Sequence, residues 1–203
     1  MANPTARSPI GINGSTKQLG GWEVSDATNS GPVTLADVSA ATKILVVADV
    51  DSARGAALNC AFQSTRRTEN ALIVGAGPGE WLVLAPAGQT PTVIDTLPGD
   101  GGRGDLVDVT HGGTLLRLTG NDAVAVMNRM CAINVGLDAF TDGSAFRSSF
   151  ARLVCDVVRD DVNGVPSYLI HADRSSGQYL FDSIMAVGET FGIRVTGYPV
   201  AGL

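Results

Sequence analysis

The chain has 203 residues and a mass of 20.9 kDa, 44% of it hydrophobic and only 17% charged, against roughly 25% charged in an ordinary soluble domain. Those values exclude a disordered chain and allow one or two small domains with a sizeable core; with a mean hydropathy of +0.18 they imply a surface shared with a partner rather than with water. Net charge is −6, and Arg66-Arg67 is the one basic pair, so the phosphate neutralisation that drives nucleic-acid binding has no source here.

Residues 1–21, MANPTARSPIGINGSTKQLGG, are rich in Pro, Gly, Ser, Thr and Asn and carry neither the helical nor the strand period. They read as an extended tail with Ile10, Ile12 and Leu19 as its few anchors and Pro9 limiting its freedom. Such a segment cannot bury enough apolar surface to order itself, and it is expected to lie along another subunit. Residues 43–50 (KILVVADV) predict a buried strand, and Asp51-Ser52 the cap of a short helix through about Ala61. Residues 71–74 and 81–85 read as strands around the turn Gly75-Ala76-Gly77-Pro78-Gly79. Residues 92–97 read as a short helix or an irregular link, and 106–110 as a strand.

The second half repeats that order. Residues 114–119 predict a strand with Leu116 and Leu118 on one face. Gly120-Asn121-Asp122 leads into a helix through Met130, whose Ala123, Val126, Met127 and Met130 follow the i, i+3, i+4, i+7 rule. A long strand is expected over 149–158, with Ala151, Leu153, Cys155 and Val157 on one face. Asn163-Gly164 makes a turn and 167–172 returns as the hairpin partner. Ser175, with Gln178 in capping-box position, opens a helix whose Leu180, Ile184, Val187 and Phe191 share a face; Gly192 ends it, and 193–196 is a last strand. Both halves read strand, helix, hairpin, helix, strand. The expected fold class is therefore α+β, with two split-βαβ-like lobes of antiparallel sheet and helices packed on one face. The expected division is an extended tail over 1–21, an N-terminal lobe over 22–110 and a C-terminal lobe over 111–203.

Three widely spaced cysteines, Cys60, Cys131 and Cys155, do not make a disulfide framework and suit a reducing compartment. Residues 1–20 lack a basic start followed by an apolar core, and no apolar run reaches the 18 or so residues of a membrane span. The expectation is a cytoplasmic protein with no membrane partner.

None of the chemical motifs converges. Val74-Gly75-Ala76-Gly77-Pro78-Gly79 has Glu80 where a dinucleotide fingerprint needs glycine, and a strand follows it rather than a helix. Lys17 and Lys43 are the only lysines, and neither closes a phosphate loop. His111 is a general-base candidate with Asp108 as orienter, or a corner residue bonded to backbone; no nucleophile accompanies it. His171 reads as a surface or interface residue of a strand. Cysteine and histidine spacing does not suit zinc, so the cysteines read as small core hydrophobes. Asp160-Asp161 reads as a solvated turn rather than a carboxylate pair. Arg147, Arg152, Arg159 and Arg174 read as scattered surface charges rather than an anion grip. No catalytic, cofactor-binding or metal-binding residue is assigned.

Four segments in order resemble one family. Gly77-Pro78-Gly79-Glu80-Trp81-Leu82, Asp108-Val109-Thr110-His111-Gly112, Leu118-Thr119-Gly120-Asn121-Asp122-Ala123 and Arg174-Ser175 with Gln178-Tyr179-Leu180, closed by Phe191-Gly192, resemble motifs of the gamma subunit of heterotetrameric sarcosine oxidase. The resemblance covers about residues 22–195 and extends distantly to the folate-binding aminomethyltransferases. It implies their two-lobed α+β core. It implies a small non-catalytic subunit, bound to larger subunits, of a complex that oxidatively demethylates sarcosine to glycine with oxygen. That reaction gives peroxide and, with tetrahydrofolate, 5,10-methylenetetrahydrofolate. FAD, FMN, NAD and tetrahydrofolate are expected on the other subunits and none on this chain. Asn121 replaces the family's proline, a change that a helix start tolerates. The strand beginning at Ser149 lacks the Gly-Gly segment and paired acids of the aminomethyltransferases, so no folate residue carries over. The alternatives are a free-standing folate-dependent one-carbon enzyme, or a scaffold module unrelated to amine oxidation.

Overall fold

The structure is a computed structural model that describes residues 5–11, 13–99 and 104–199. Three short strands come first, β1 (Ala6–Arg7), β2 (Thr16–Leu19) and β3 (Trp22–Ser25), and form a small sheet in the order β1-β3-β2. Then follow β4 (Val33–Asp37), β5 (Thr42–Val47), α1 (Ala53–Leu58), β6 (Thr65–Arg67), β7 (Leu72–Gly77), β8 (Glu80–Ala85), α2 (Thr90–Thr96) and β9 (Asp105–Asp108). The rest is β10 (Gly113–Gly120), α3 (Ala123–Asn128), β11 (Ala145–Phe150), β12 (Leu153–Arg159), β13 (Ser167–Asp173), α4 (Gly177–Gly188) and β14 (Ile193–Thr196).

Five strands form a sheet in the order β6-β7-β8-β5-β9, and six form another in the order β11-β12-β13-β10-β4-β14. Leu58 of α1 and Val93 of α2 pack with Ile44, Val46, Ile73 and Val83 on one face of the five-stranded sheet. Leu180 and Ile184 of α4, with Val126 and Met127 of α3, pack with Leu116, Leu118, Val157 and Ile170 on one face of the six-stranded sheet. The other two faces meet through Leu72, Val74, Leu82 and Leu84 on one side and Leu115, Val158 and Leu169 on the other. The layers thus run helices, sheet, sheet, helices. This agrees with an α+β fold whose helices each keep to one face. Two pairings are parallel rather than antiparallel, β1 with β3 and β4 with β14. β4, from the segment read as the N-terminal lobe, lies between β10 and β14 in the six-stranded sheet.

Local chemistry explains most elements. Ser52 caps α1, its Oγ accepting from the Gly55 amide at 3.1 Å, and Asn59 ends that helix in the left-handed region. Trp81 is buried, and its indole N–H donates to the Cys60 carbonyl at 2.8 Å. Asn163 and Gly164 both have positive φ and turn the chain between β12 and β13.

Three expectations need correction. The long strand over 149–158 is two strands: β11 and β12 are joined by a two-residue turn at Ala151 (φ 50°) and Arg152 (φ 66°). Neither residue advertises a turn, because left-handed backbone is usually taken by Gly or Asn. Ser175 does not cap α4: a 3-10 turn over Arg174–Ser176 precedes the helix and its side chains make no cap bond. Gln178 instead accepts from the Gly11 amide at 2.7 Å.

That bond belongs to the third correction. Within the segment read as a loose tail, β1 and β2 both pair with β3, and Ile10 is 5% exposed in the core beneath α4. Arg174 Nη2 donates to the Arg7 carbonyl at 2.7 Å. Ile12, the other expected anchor, lies outside the described residues. Composition made this segment look unordered because its partners are Gln178 and Arg174, far along the chain. Replacing Ile10 by valine should therefore cost about 0.5–1.5 kcal/mol and lower Tm by a few degrees. A melting curve that superimposes on the wild type would show that the segment does not contribute to the core.

Candidate functional site

Residues from both sheets line a cavity of about 160 Å³. Its walls are Leu45, Leu82 and Val109 from the five-stranded side and Arg147, Asp156, His171 and Asp173 from the other, with Gly112 and Gly113 at one end. Strand register assembles the polar wall. Arg147 on β11 stands opposite Asp156 on β12, and Asp156 stands opposite His171 on β13. Residues directly opposite in a ladder share a face, so the three side chains form one row.

Asp156 is the hub of the row. Its Oδ1 accepts from Arg147 Nε at 2.6 Å, and its Oδ2 accepts from Arg147 Nη2 at 3.3 Å and from His171 Nδ1 at 3.1 Å. Burial pushes its pKa up, but the bonds from His171 and Arg147 outweigh burial and hold it below the usual carboxylate range. An ionised carboxylate only accepts, so Nδ1 carries the proton. His171 Nε2 is buried and has no hydrogen-bond partner among the described residues. It lies over Gly113, where an added Cβ would sit 2.4 Å from Nε2 and 3.2 Å from Lys43 Cε. Glycine is required there because any side chain would collide with the imidazole.

Lys43 is fully buried between the sheets. Its Nζ donates to the Ser39 carbonyl at 2.7 Å and the Ala41 carbonyl at 2.8 Å. Burial pulls its pKa down to about 7, against the raising influence of Asp37 and Asp108.

A second polar cluster joins the sheets elsewhere. Asp160 accepts from Arg117 on β10 and from Arg67 on β6, and Asp161 accepts from Arg159. Asp160 is thus buried and Asp161 half-buried, each ion-paired with arginine, rather than the solvated turn expected. His111 and Asp108 do not form a dyad. His111 stacks on Trp22 with ring centroids 4.6 Å apart, while Asp108 Oδ1 accepts from the Thr110 amide at 2.8 Å. The four arginines do not converge: Arg147 holds Asp156, Arg159 holds Asp161, Arg174 reaches Arg7, and Arg152 sits in the β11–β12 turn. Cys155 is buried, its thiol pushed up to about 12 by burial. No cluster able to hold a metal ion occurs among the described residues. Gly75 is packed against backbone, a Cβ there meeting the Ala61 carbonyl oxygen at 2.0 Å, and its amide donates to Ser64 O. Such a glycine serves a close chain crossing and does not fit a phosphate.

The sequence offered His111 with Asp108 as one of two readings and read His171 as a surface or interface residue; the structure sets His171 beside Asp156. The register that sets Asp156 opposite His171 follows from the Asn163-Gly164 turn, whereas the Ala151-Arg152 turn concealed Arg147 opposite Asp156.

A family model described as sarcosine oxidase, gamma subunit family, matches residues 38–186. No curated protein sequence matches the chain. Among solved structures the chain is similar to one of heterotetrameric sarcosine oxidase from Corynebacterium sp. U-96 in complex with pyrrole 2-carboxylate. The TM-score is 0.70 at 21% identity, over 81% of this chain and 88% of that one. It is also similar to the glycine cleavage system aminomethyltransferase T from Bartonella henselae, with a TM-score of 0.69 at 15% identity, over 90% of this chain and 55% of that one. At these identities the structures show a shared fold. No helix among the described residues is long and apolar enough to cross a membrane.

Proposed function

Because the chain belongs to the sarcosine oxidase, gamma subunit family, we propose that it is the small, non-catalytic subunit of a sarcosine oxidase complex held together with larger subunits. The complex would convert sarcosine, oxygen and tetrahydrofolate to glycine, hydrogen peroxide and 5,10-methylenetetrahydrofolate. Its FAD, FMN, NAD and tetrahydrofolate would sit on the other chains, in the cytoplasm. The observation that carries the reading is the family match over residues 38–186.

The test is expression of the full chain alone and together with the larger subunits. Alone, it should fold, show no flavin spectrum and turn over no sarcosine; together, it should co-purify in fixed ratio. Stoichiometric flavin or peroxide production from the chain alone would overturn the non-catalytic role.

A further inference from the structure

The five-stranded sheet turns one face toward the six-stranded sheet, but that cover stops short of β9. Ladder register places this face's residues in rows. Leu84 and Lys43 lie in the covered row. Leu82, Leu45 and Val107 form the next, and Glu80, Val47 and Asp105 the outermost. Lys43 is fully buried, whereas Val47 is 39% and Val107 46% exposed. An apolar strip flanked by the carboxylates of Glu80 and Asp105 therefore emerges from under the second sheet, and the 160 Å³ cavity opens beside it.

Two further observations say what covers this strip. First, β9 is the edge of its sheet. Val109 donates its amide to the Lys43 carbonyl, so Val107 also faces β5, and the backbone groups of Leu106 and Asp108 point off the sheet edge. An edge strand bearing an exposed valine is a template for another strand. Second, the charge is one-sided. Among the described residues the one guanidinium lining the cavity, Arg147, binds Asp156 and also feels Glu80, against four carboxylates: Asp156 and Asp173 in the cavity, Glu80 and Asp105 at the rim. The fitting occupant brings an apolar side chain next to a cation.

We propose that an extended segment of a larger subunit adds to β9, lays an apolar side chain on Val47 and Val107, and inserts a lysine or arginine between Leu45, Leu82 and Val109 toward Asp173. A long cationic side chain suits such a slot, since its methylenes lie on the apolar walls and its charge meets the carboxylate. This rests on the proposed assembly with larger subunits.

The test uses the full chain co-expressed with those subunits. Val107→Lys, two residues from Asp105 on the same strand, keeps the strand soluble but repels a basic partner; it should weaken assembly about tenfold or more. Asp173→Asn should weaken it about three- to tenfold and flatten its salt dependence. Tyr179→Lys, on the exposed side of α4, should assemble like the wild type. Hydrogen exchange on the wild-type complex should show new protection at residues 105–109. Wild-type assembly of Val107→Lys, or unchanged exchange at 105–109, overturns the docking site. Asp173→Asn indistinguishable from wild type overturns the cationic anchor. If the wild-type chain itself assembles with no larger subunit, the proposed function fails, and the docking site with it.

Discussion

The stability of the folded chain should rise as pH is taken from 7 to 9, and the rise should disappear in Lys43→Met. Burial has pulled Lys43 down to about 7 in the fold, while in the unfolded chain it keeps an ordinary value near 10.5. Between those values the unfolded state binds the proton and the folded state does not, so raising pH favours the fold. Below pH 7 both states are protonated, and the full cost of a buried charge is present. The slope should approach about 1.4 kcal/mol per pH unit, or roughly 2–3 kcal/mol across the window. Neutral Lys43 loses little structurally: an uncharged amine has two N–H groups, and the Ser39 and Ala41 carbonyls take both. Cys155 and Tyr198, each pushed up to about 12 by burial, pull the other way once pH passes their ordinary values of 9.0 and 10.0. The comparison therefore belongs below pH 9. Urea unfolding of both proteins at several pH values measures it. Parallel curves for wild type and Lys43→Met would mean that the lysine keeps its charge in the fold.

Elements that declare themselves locally were legible in the sequence. α1 carries its own cap in Ser52, α4 has Leu180 and Ile184 on one face, and Asn163-Gly164 marks its turn. Elements held by distant partners were not. β4 is a strand because β10 and β14 flank it, and Thr65–Arg67 because β7 does. β1 and β2 depend on β3, and Ile10 on the surface beneath α4. Such segments are short, and their order comes from contacts that no local window contains.

The polar row was hidden for a related reason. Asp156 and His171 stand symmetrically about the Asn163-Gly164 turn, but nothing in the spacing of Arg147 and Asp156 joins them. Register joins them, and register depends on where the chain turns. An alternating run through Ala151 and Arg152 looked like one strand, which would have set Arg147 and Asp156 far apart instead of opposite. The same reasoning misread Lys43. It was counted as a failed phosphate lysine, although its place inside an apolar strand already pointed to a buried cation.

Replacing Arg117 by methionine should have the largest cost of any single change on the polar side of the fold. Arg117 is 6% exposed on β10, with Nη1 donating to Ser167 Oγ at 2.8 Å and Nη2 to Asp160 Oδ2 at 2.7 Å. Asp160 is itself 9% exposed and is shared with Arg67 of the five-stranded sheet, so this carboxylate ties one sheet to the other. Removing one partner of a buried pair leaves a charge without compensation, at a cost of about 3–5 kcal/mol. Arg67 remains and is half in water, which places the effect toward the lower end. Ser167 keeps its contact with Thr119 Oγ1 at 2.9 Å, so the hydroxyl adds little to the loss. Arg117→Lys should fall between, because an ammonium retains the charge but cannot reach the Asp160 carboxylate and Ser167 with one planar fork. Adding Asp160→Asn to Arg117→Met should recover part of the loss, since the stranded charge is then gone. Urea midpoints for the wild type, Arg117→Met, Asp160→Asn and the double variant give the cycle. A loss below about 0.5 kcal/mol for Arg117→Met, or no recovery in the double variant, would mean that water rather than Arg117 balances Asp160.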